Sequence, residues 1–292
     1  MNSPSTTLVS VIDKHTFVQY CPDIYFEFSM AAMELPDLLC ELHGAVAWVV
    51  VNRPQRRNAL GEQTTRQILQ ACEWAAQDPK VRALVLTGQG DAFCAGGDLE
   101  DTFARGAGQS EAQWSGRIRS GPNRLAQLLR SMAKPVIACV NGVAVGGGAT
   151  IALACDLRIA SENARFRFPF VHVGITPEFG CSYLLQRTVG LGRANELLLL
   201  GDFIDAETAE RYGLVQRVLP QEALRAETQT LAERLAAQPA QAMARIKKLQ
   251  LHAQSADLAS TLEQEALALG QSFVSPEHRA VVEQFLRRKS GA

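Results

Sequence analysis

Residues 134–161 read KPVIACVNGVAVGGGATIALACDLRIAS, and this stretch decides the fold. Pro135–Val140 is a continuous apolar run, too short for a buried helix, and reads as a strand buried on both faces. Gly146-Gly147-Gly148 then opens a short helix, Ala149–Cys155, and Leu157–Ala160 is the next strand. Strand, helix and strand in this rhythm give an α/β domain with a largely parallel sheet.

The same rhythm extends outward. Ala45–Val51 is a strand ended by Arg53-Pro54, and Glu62–Gln77 is a helix stopped by Asp78-Pro79. Val81–Thr87 is a strand, Gly88–Asp98 a glycine-rich loop, and residues 111–133 a helical stretch interrupted at Gly121-Pro122. Beyond Phe179 helical patterns dominate, with Asp205 as an N-cap, Gly213 as a helix stop and Val215–Leu219 as a last short strand. The expected organisation is an extension over residues 1–32, an α/β core over 33–219 and a helical region over 220–292.

Composition excludes several classes. The chain has 292 residues, 47% hydrophobic and 20% charged, with a net charge of -1. No global field attracts nucleic acid or an anionic membrane. Seven cysteines contain no CxxC pair, which argues against zinc, and their odd number suits free thiols in a reducing, cytoplasmic setting. The five histidines form no motif, so no metal is expected. No apolar run reaches the roughly 20 residues of a membrane span, and the N-terminus lacks the pattern of a signal peptide. There is no P-loop and no GxSxG elbow, and Gly88-Gln89-Gly90 lacks the third glycine of a dinucleotide fingerprint. No cofactor is expected.

Two segments share a design: Ala92–Leu99 (AFCAGGDL) and Asn141–Gly148 (NGVAVGGG) each carry a buried strand into glycines at a helix start. Helix N-termini leave N–H groups unpaired, and two such groups converging on one point bind an oxygen that gains negative charge. Losing one donor of this kind typically removes roughly 2.7–4 kcal/mol of transition-state stabilisation. The plainer alternative is that the glycines serve only tight turns and close packing.

These two segments, with NRPQRRNAL (residues 52–60), FRFPFVHVGITPEFGCSYLLQRTVG (166–190) and GLGRANELLLLGDFIDAETAERYGLVQRV (190–218), resemble the crotonase (enoyl-CoA hydratase/isomerase) superfamily. The resemblance covers roughly residues 40–290. It implies a spiral of ββα units with C-terminal helices used for trimerisation, as a homotrimer or dimer of trimers. It implies an acyl-CoA thioester as substrate, its oxygen held by the N–H groups of Gly97 and Gly147. The CoA would lie against Arg56, Arg57, Asn58, Ala59, Ala95, Asp98 and Leu99. Phe285 would contact adenine and Arg288 a phosphate, and Phe170 would line the acyl site.

The resemblance also frames the chemistry. The family's hydratases activate water with two glutamates, and the matching positions here are Thr150 and Phe170, neither of them a base. A carboxylate stands later, at Glu178, in a segment similar to that of Δ3,Δ2-enoyl-CoA isomerases, where it is the proton shuttle. Burial among Phe166, Phe168, Phe170 and Phe179 would raise its pKa. The plain alternative for Glu178 is a capping carboxylate on the following helix. Other reactions on the scaffold are hydration, thioester hydrolysis, decarboxylation and dehalogenation. The last needs a histidine that Arg117–Met132 lacks. A non-catalytic acyl-CoA-binding module is the alternative of another class.

Overall fold

The computed structural model describes residues 35–290, and the expected extension over 1–32 lies outside the described residues. In chain order the elements are β1 (Leu38–His43), β2 (Val46–Val51), α1 (Glu62–Gln77), β3 (Ala83–Gly88), β4 (Ala92–Cys94), α2 (Leu99–Gly106), α3 (Glu111–Ile118) and α4 (Arg124–Ser131). There follow β5 (Val136–Val140), β6 (Val143–Val145), α5 (Gly147–Ala154), β7 (Leu157–Ser161), β8 (Arg165–Arg167), α6 (Cys181–Val189) and α7 (Leu191–Leu200). The chain ends through β9 (Ile204–Asp205), α8 (Ala206–Arg211), β10 (Arg217–Leu219), α9 (Gln221–Ala236), α10 (Ala240–Ala253), α11 (Leu258–Phe273) and α12 (Pro276–Ser290).

Two sheets organise these elements. The larger has the order β1-β2-β3-β5-β7-β10, parallel except for the β1–β2 hairpin. The smaller has the order β4-β6-β8-β9. Three times the chain adds a strand to the large sheet, then a short strand to the small one, then helix: β3 with β4, β5 with β6, and β7 with β8. This is the spiral of ββα units that the resemblance implies, with helices at its C-terminal end.

The large sheet is covered on both faces, which explains the unbroken apolar runs of β2, β3 and β5. Val46, Trp48 and Val50 of β2 pack with Val85, Ile137 and Ile159 against Leu224, Ala232 and Ala236 of α9. The Trp48 indole N–H donates to Gln229 of the same helix at 2.6 Å. On the opposite face Val49 and Val51 meet Leu60, Ile68 and Leu86. A boundary at 219/220 therefore runs through a shared core: α9 closes the sheet, and the helical C-terminal region begins beyond it.

The interruption at Gly121-Pro122 is a π-helical turn, Arg119–Asn123, between α3 and α4. Proline lacks the N–H a regular turn needs, and the wider turn absorbs it without ending the helix. Asp205 caps α8, accepting from Thr208 N–H at 2.8 Å.

One polar clamp ties α10 to the core. Lys247 Nζ donates to Asp156 Oδ2 at 2.5 Å and to the Lys134 carbonyl at 2.8 Å, and the same carboxylate oxygen accepts from Val136 N–H. Burial lowers the Lys247 pKa, and Asp156 opposes that shift. Removing one member of a buried pair strands the other's charge. Lys247→Met is expected to lower stability by about 3 kcal/mol, the low end of that class because Asp156 keeps some solvent. The double variant Lys247→Met/Asp156→Asn should recover much of it, as read by urea denaturation.

Candidate active site

The small sheet assembles the site. β4 and β6 are parallel neighbours, with Ala92 opposite Val143 and Cys94 opposite Ala144. Parallel strands end on the same side of a sheet, so Gly96-Gly97 and Gly146-Gly147 emerge together. Gly96 adopts φ +91°, and a side chain there would meet the Val145 carbonyl at 2.8 Å. At Gly148 a side chain would meet Cys94 Sγ and its carbonyl at 2.6 Å. The two segments approach so closely that only glycine fits at these points.

The first loop is fixed from a third direction by residues 57–60. Ala95 N–H donates to the Arg57 carbonyl, Leu60 N–H to the Gly96 carbonyl and Asp98 N–H to the Leu60 carbonyl, at 2.7–2.9 Å. This parallel bridge leaves the Gly97 N–H out of its ladder. Gly97 is exposed, and a methyl group on it would point into open space. Gly147 is the first residue of α5, so its N–H has no partner within the helix. The two glycines thus stand at the ends of paired strands, one on an exposed loop and one at a helix start.

Glu178 meets this point. A methyl group built on Gly147 would stand 2.9 Å from Glu178 Oε1, 3.0 Å from Phe179 Cε2 and 3.3 Å from Leu60 Cδ1. Desolvation by the surrounding protein raises the Glu178 pKa above its ordinary 4.5. Phe179 holds φ +53°, an outlier for a bulky side chain, and is kept there by full burial of its ring. The capping alternative for Glu178 does not hold: the N-cap of α6 is Gly180, with no side-chain cap. Thr150 is fully buried, its hydroxyl donating to the Gly146 carbonyl, and it offers no base. The Phe170 ring lies 3.9 Å from the Cβ position of Gly146. Phe166 and Phe168 are buried too. Two thiols lie near the glutamate, Cys94 and Cys181, and burial pushes them up to about 12 and about 11, so neither is a nucleophile at neutral pH.

The expected CoA-side residues divide. Leu99 and Arg57 are exposed and Ala95 half-buried, all open to a ligand. Arg56 is exposed but already pairs with Glu100 at 2.6 Å. It borders a polar cleft of about 390 Å³ with Arg53, Gln63, Asp98 and Asp101. Asn58 is corrected: its side chain is fully buried and donates to the Ala92 and Gln89 carbonyls, so it serves the scaffold. Asp98 is likewise turned inward, accepting from Arg53 and capping α2, and Ala59 is buried. Phe285 and Arg288 are exposed on α12, which packs chiefly on α11, and the chain does not bring them to the glycine loops. An apolar void of about 20 Å³ between Leu60, Cys94 and Ile151 is a packing defect too small for an acyl group. Among the described residues no three His, Cys, Asp or Glu side chains converge as a metal site requires.

The residue that sequence reasoning missed is Asn141. Its Nδ2 donates to the carbonyls of Gly88, Gly90 and Ala92, and its Oδ1 accepts from Thr87 and Gly88. An asparagine followed by glycine at a strand end was the available signal, and it reads as an ordinary turn.

Comparison with known proteins adds an independent line. The family model for enoyl-CoA hydratase/isomerase matches residues 41–290. The crotonyl-CoA hydratase of Syntrophomonas wolfei is 35% identical over 258 residues, covering 88% of this chain and 97% of that one. The 1,2-epoxyphenylacetyl-CoA isomerase of Escherichia coli is 34% identical over 253 residues, covering 87% and 96%. A crystal structure of a putative enoyl-CoA hydratase from Streptomyces coelicolor superposes with a TM-score of 0.83 at 34% identity, covering 89% and 96%. Names among these relatives span both hydration and isomerisation. The two glycine loops, the spiral that places them and the sequence along almost the whole described chain agree that the protein belongs to the enoyl-CoA hydratase/isomerase family of the crotonase superfamily.

Proposed function

We propose that the protein is a Δ3,Δ2-enoyl-CoA isomerase, with Glu178 as the proton shuttle and Gly97 and Gly147 as the oxyanion donors. The observation that carries this reading is the Glu178 carboxylate set against Gly147, while the two hydratase positions hold Thr150 and Phe170. In the reaction Glu178 takes the proton from C2 of a 3-enoyl thioester. The electron pair moves toward the thioester oxygen, where the two N–H groups stabilise the dienolate. Protonated Glu178 then returns the proton at C4, leaving the double bond at C2=C3 and the carboxylate restored. One base on one face serves both transfers, whereas hydration also requires a positioned water.

A desolvated carboxylate suits the first step, because a raised pKa makes a stronger base. CoA enters as part of the substrate, and the reaction needs no metal or redox group. A second reading keeps the same residues and changes the acyl group. The Escherichia coli relative is named for an epoxidised phenylacetyl thioester, and the aromatic side chains Phe170 and Phe179 suit a ring as well as an alkyl chain. Assembly as a homotrimer or dimer of trimers belongs to the same proposal. α11 leaves Leu258, Leu262, Leu267 and Phe273 exposed, a surface suited to a second copy. A cytoplasmic location accords with the free cysteines, and no described helix is long and apolar enough to cross a membrane.

The test is a paired assay of 3-enoyl-CoA isomerisation and 2-enoyl-CoA hydration. Glu178→Gln is expected to lower isomerisation by about 10²–10⁴-fold, the usual weight of a general acid–base group. Hydration that dominates in the wild type and survives this substitution overturns the assignment.

A pH dependence follows. Isomerisation needs the Glu178 carboxylate, so kcat/KM should fall as pH drops through the raised pKa, with a midpoint above 4.5. The stability effect has the opposite sense. A carboxyl whose folded pKa is raised stabilises the fold below its unfolded pKa, and that contribution is lost as pH rises through the folded value. At pH 8 Glu178→Gln should therefore melt at or above the wild-type temperature while being nearly inactive. A variant that melts well below wild type would contradict a desolvated carboxylate.

A further inference from the structure

Arg53 sits behind the glycine loops and meets the first only through Asp98. Its guanidinium is 19% exposed. Nη2 donates to Asp98 Oδ2 at 3.0 Å, and Nη1 to the Ala59 carbonyl at 2.6 Å and to Thr64 Oγ1 at 3.3 Å. Nε lies 3.9 Å from Asp37 Oδ1, and the other oxygen of Asp37 accepts from Thr64 at 2.6 Å. The residue is fixed at its own backbone too: Arg53 N–H donates to Asn58 Oδ1, and the Arg53 carbonyl accepts from Arg56 and Asn58 N–H.

Its two principal partners belong to the two segments that pair beside Gly97. Ala59 precedes Leu60, whose carbonyl accepts from Asp98 N–H and whose side chain meets Gly147. Asp98 follows Gly97 directly and caps α2 through Asp101 N–H. A planar guanidinium holds two acceptors at a fixed separation and angle, which an ammonium does not. We propose that Arg53 is a positioning residue, whose fork between the Ala59 carbonyl and the Asp98 carboxylate sets the direction of the Gly97 N–H toward the thioester oxygen. This rests on the reading of Gly97 as an oxyanion donor.

The experiment uses the full chain and four proteins: wild type, Arg53→Lys, Arg53→Met and Arg53→Met/Asp98→Asn. The double variant leaves no lone charge at Asp98, Asp37 keeps its bond from Thr64 and some solvent, and asparagine still caps α2. Each is assayed for kcat and KM on 3-enoyl-CoA. Each is also titrated with a conjugated 2,4-dienoyl-CoA, whose absorbance shifts to the red when its thioester carbonyl is polarised. Misplacing a reacting group by about 1 Å can lower a rate about 10²-fold. Arg53→Met is expected to lose kcat on that scale with KM within about threefold of wild type, and Arg53→Lys to fall between the two. The double variant should regain thermal stability while kcat stays low and the red shift stays small.

Recovery of kcat together with stability in the double variant overturns the proposal, because Arg53 would then serve only the fold. A raised KM with unchanged kcat also overturns it, because Arg53 would then contact the ligand itself through the neighbouring cleft. A wild type that neither turns over 3-enoyl-CoA nor shifts the dienoyl absorbance overturns the oxyanion reading beneath it, an outcome distinct from both.

Discussion

The carbonyl of Ala92 accepts hydrogen bonds from two buried asparagine amides, Asn58 at 2.7 Å and Asn141 at 3.3 Å. The site depends on this convergence. Asn58 belongs to the turn after β2 and Asn141 to the end of β5, so elements distant in sequence fix the entry to β4. From that point three residues of strand carry the chain to Gly97, and the parallel neighbour β6 carries Gly147 to the same side. Buried amides without partners carry a free-energy penalty. Here all four functional atoms are used, so the polar groups specify one loop path without leaving an orphan.

The proposed reaction sets two opposed demands. An oxyanion needs donors whose N–H groups have no other partner, and a base needs a carboxylate poorly solvated by donors. On the proposed reading the helix start at Gly147 would supply the first, and burial of Glu178 beside Phe179 and Leu60 the second. The Phe179 backbone, held in the left-handed region, turns the chain so that Glu178 faces α5 while α6 begins at Cys181. Strain concentrated at one residue is tolerable because its ring is fully packed.

What the sequence made legible follows strength of signal. The long apolar strands and α1 were readable because burial on two faces writes continuous hydrophobic runs, and proline or glycine marks their ends. The three-residue strands are harder: β4 and β6 are legible only as the apolar lead into the glycines, and β8 is not, since so short a segment shows no period. Resemblance and the chemistry of their residue types single out the glycine pair and Glu178, and the fold sets Glu178 against Gly147. The inward turn of Asn58 is not legible, because a polar residue following two arginines gives no hint that the chain buries its amide. Arg53 reads only as the end of a strand before Pro54, although two carboxylates and a carbonyl enclose it. Phe285 and Arg288 lie on a helix whose packing within this chain leads elsewhere.

The covering of β2 by α9 has a consequence for how the chain is made. Val46, Trp48 and Val50 reach their partners only when residues as far as Ala236 are present. At ribosomal rates of about 5–20 residues per second, the intervening stretch takes roughly 10–40 s to emerge. Through that interval the central sheet lacks its cover and shows a tryptophan and several branched side chains to whatever surrounds it. The same long-range closure that completes the native core makes the nascent chain a natural client for holding factors, and it gives contacts of high sequence separation a controlling share of the folding barrier.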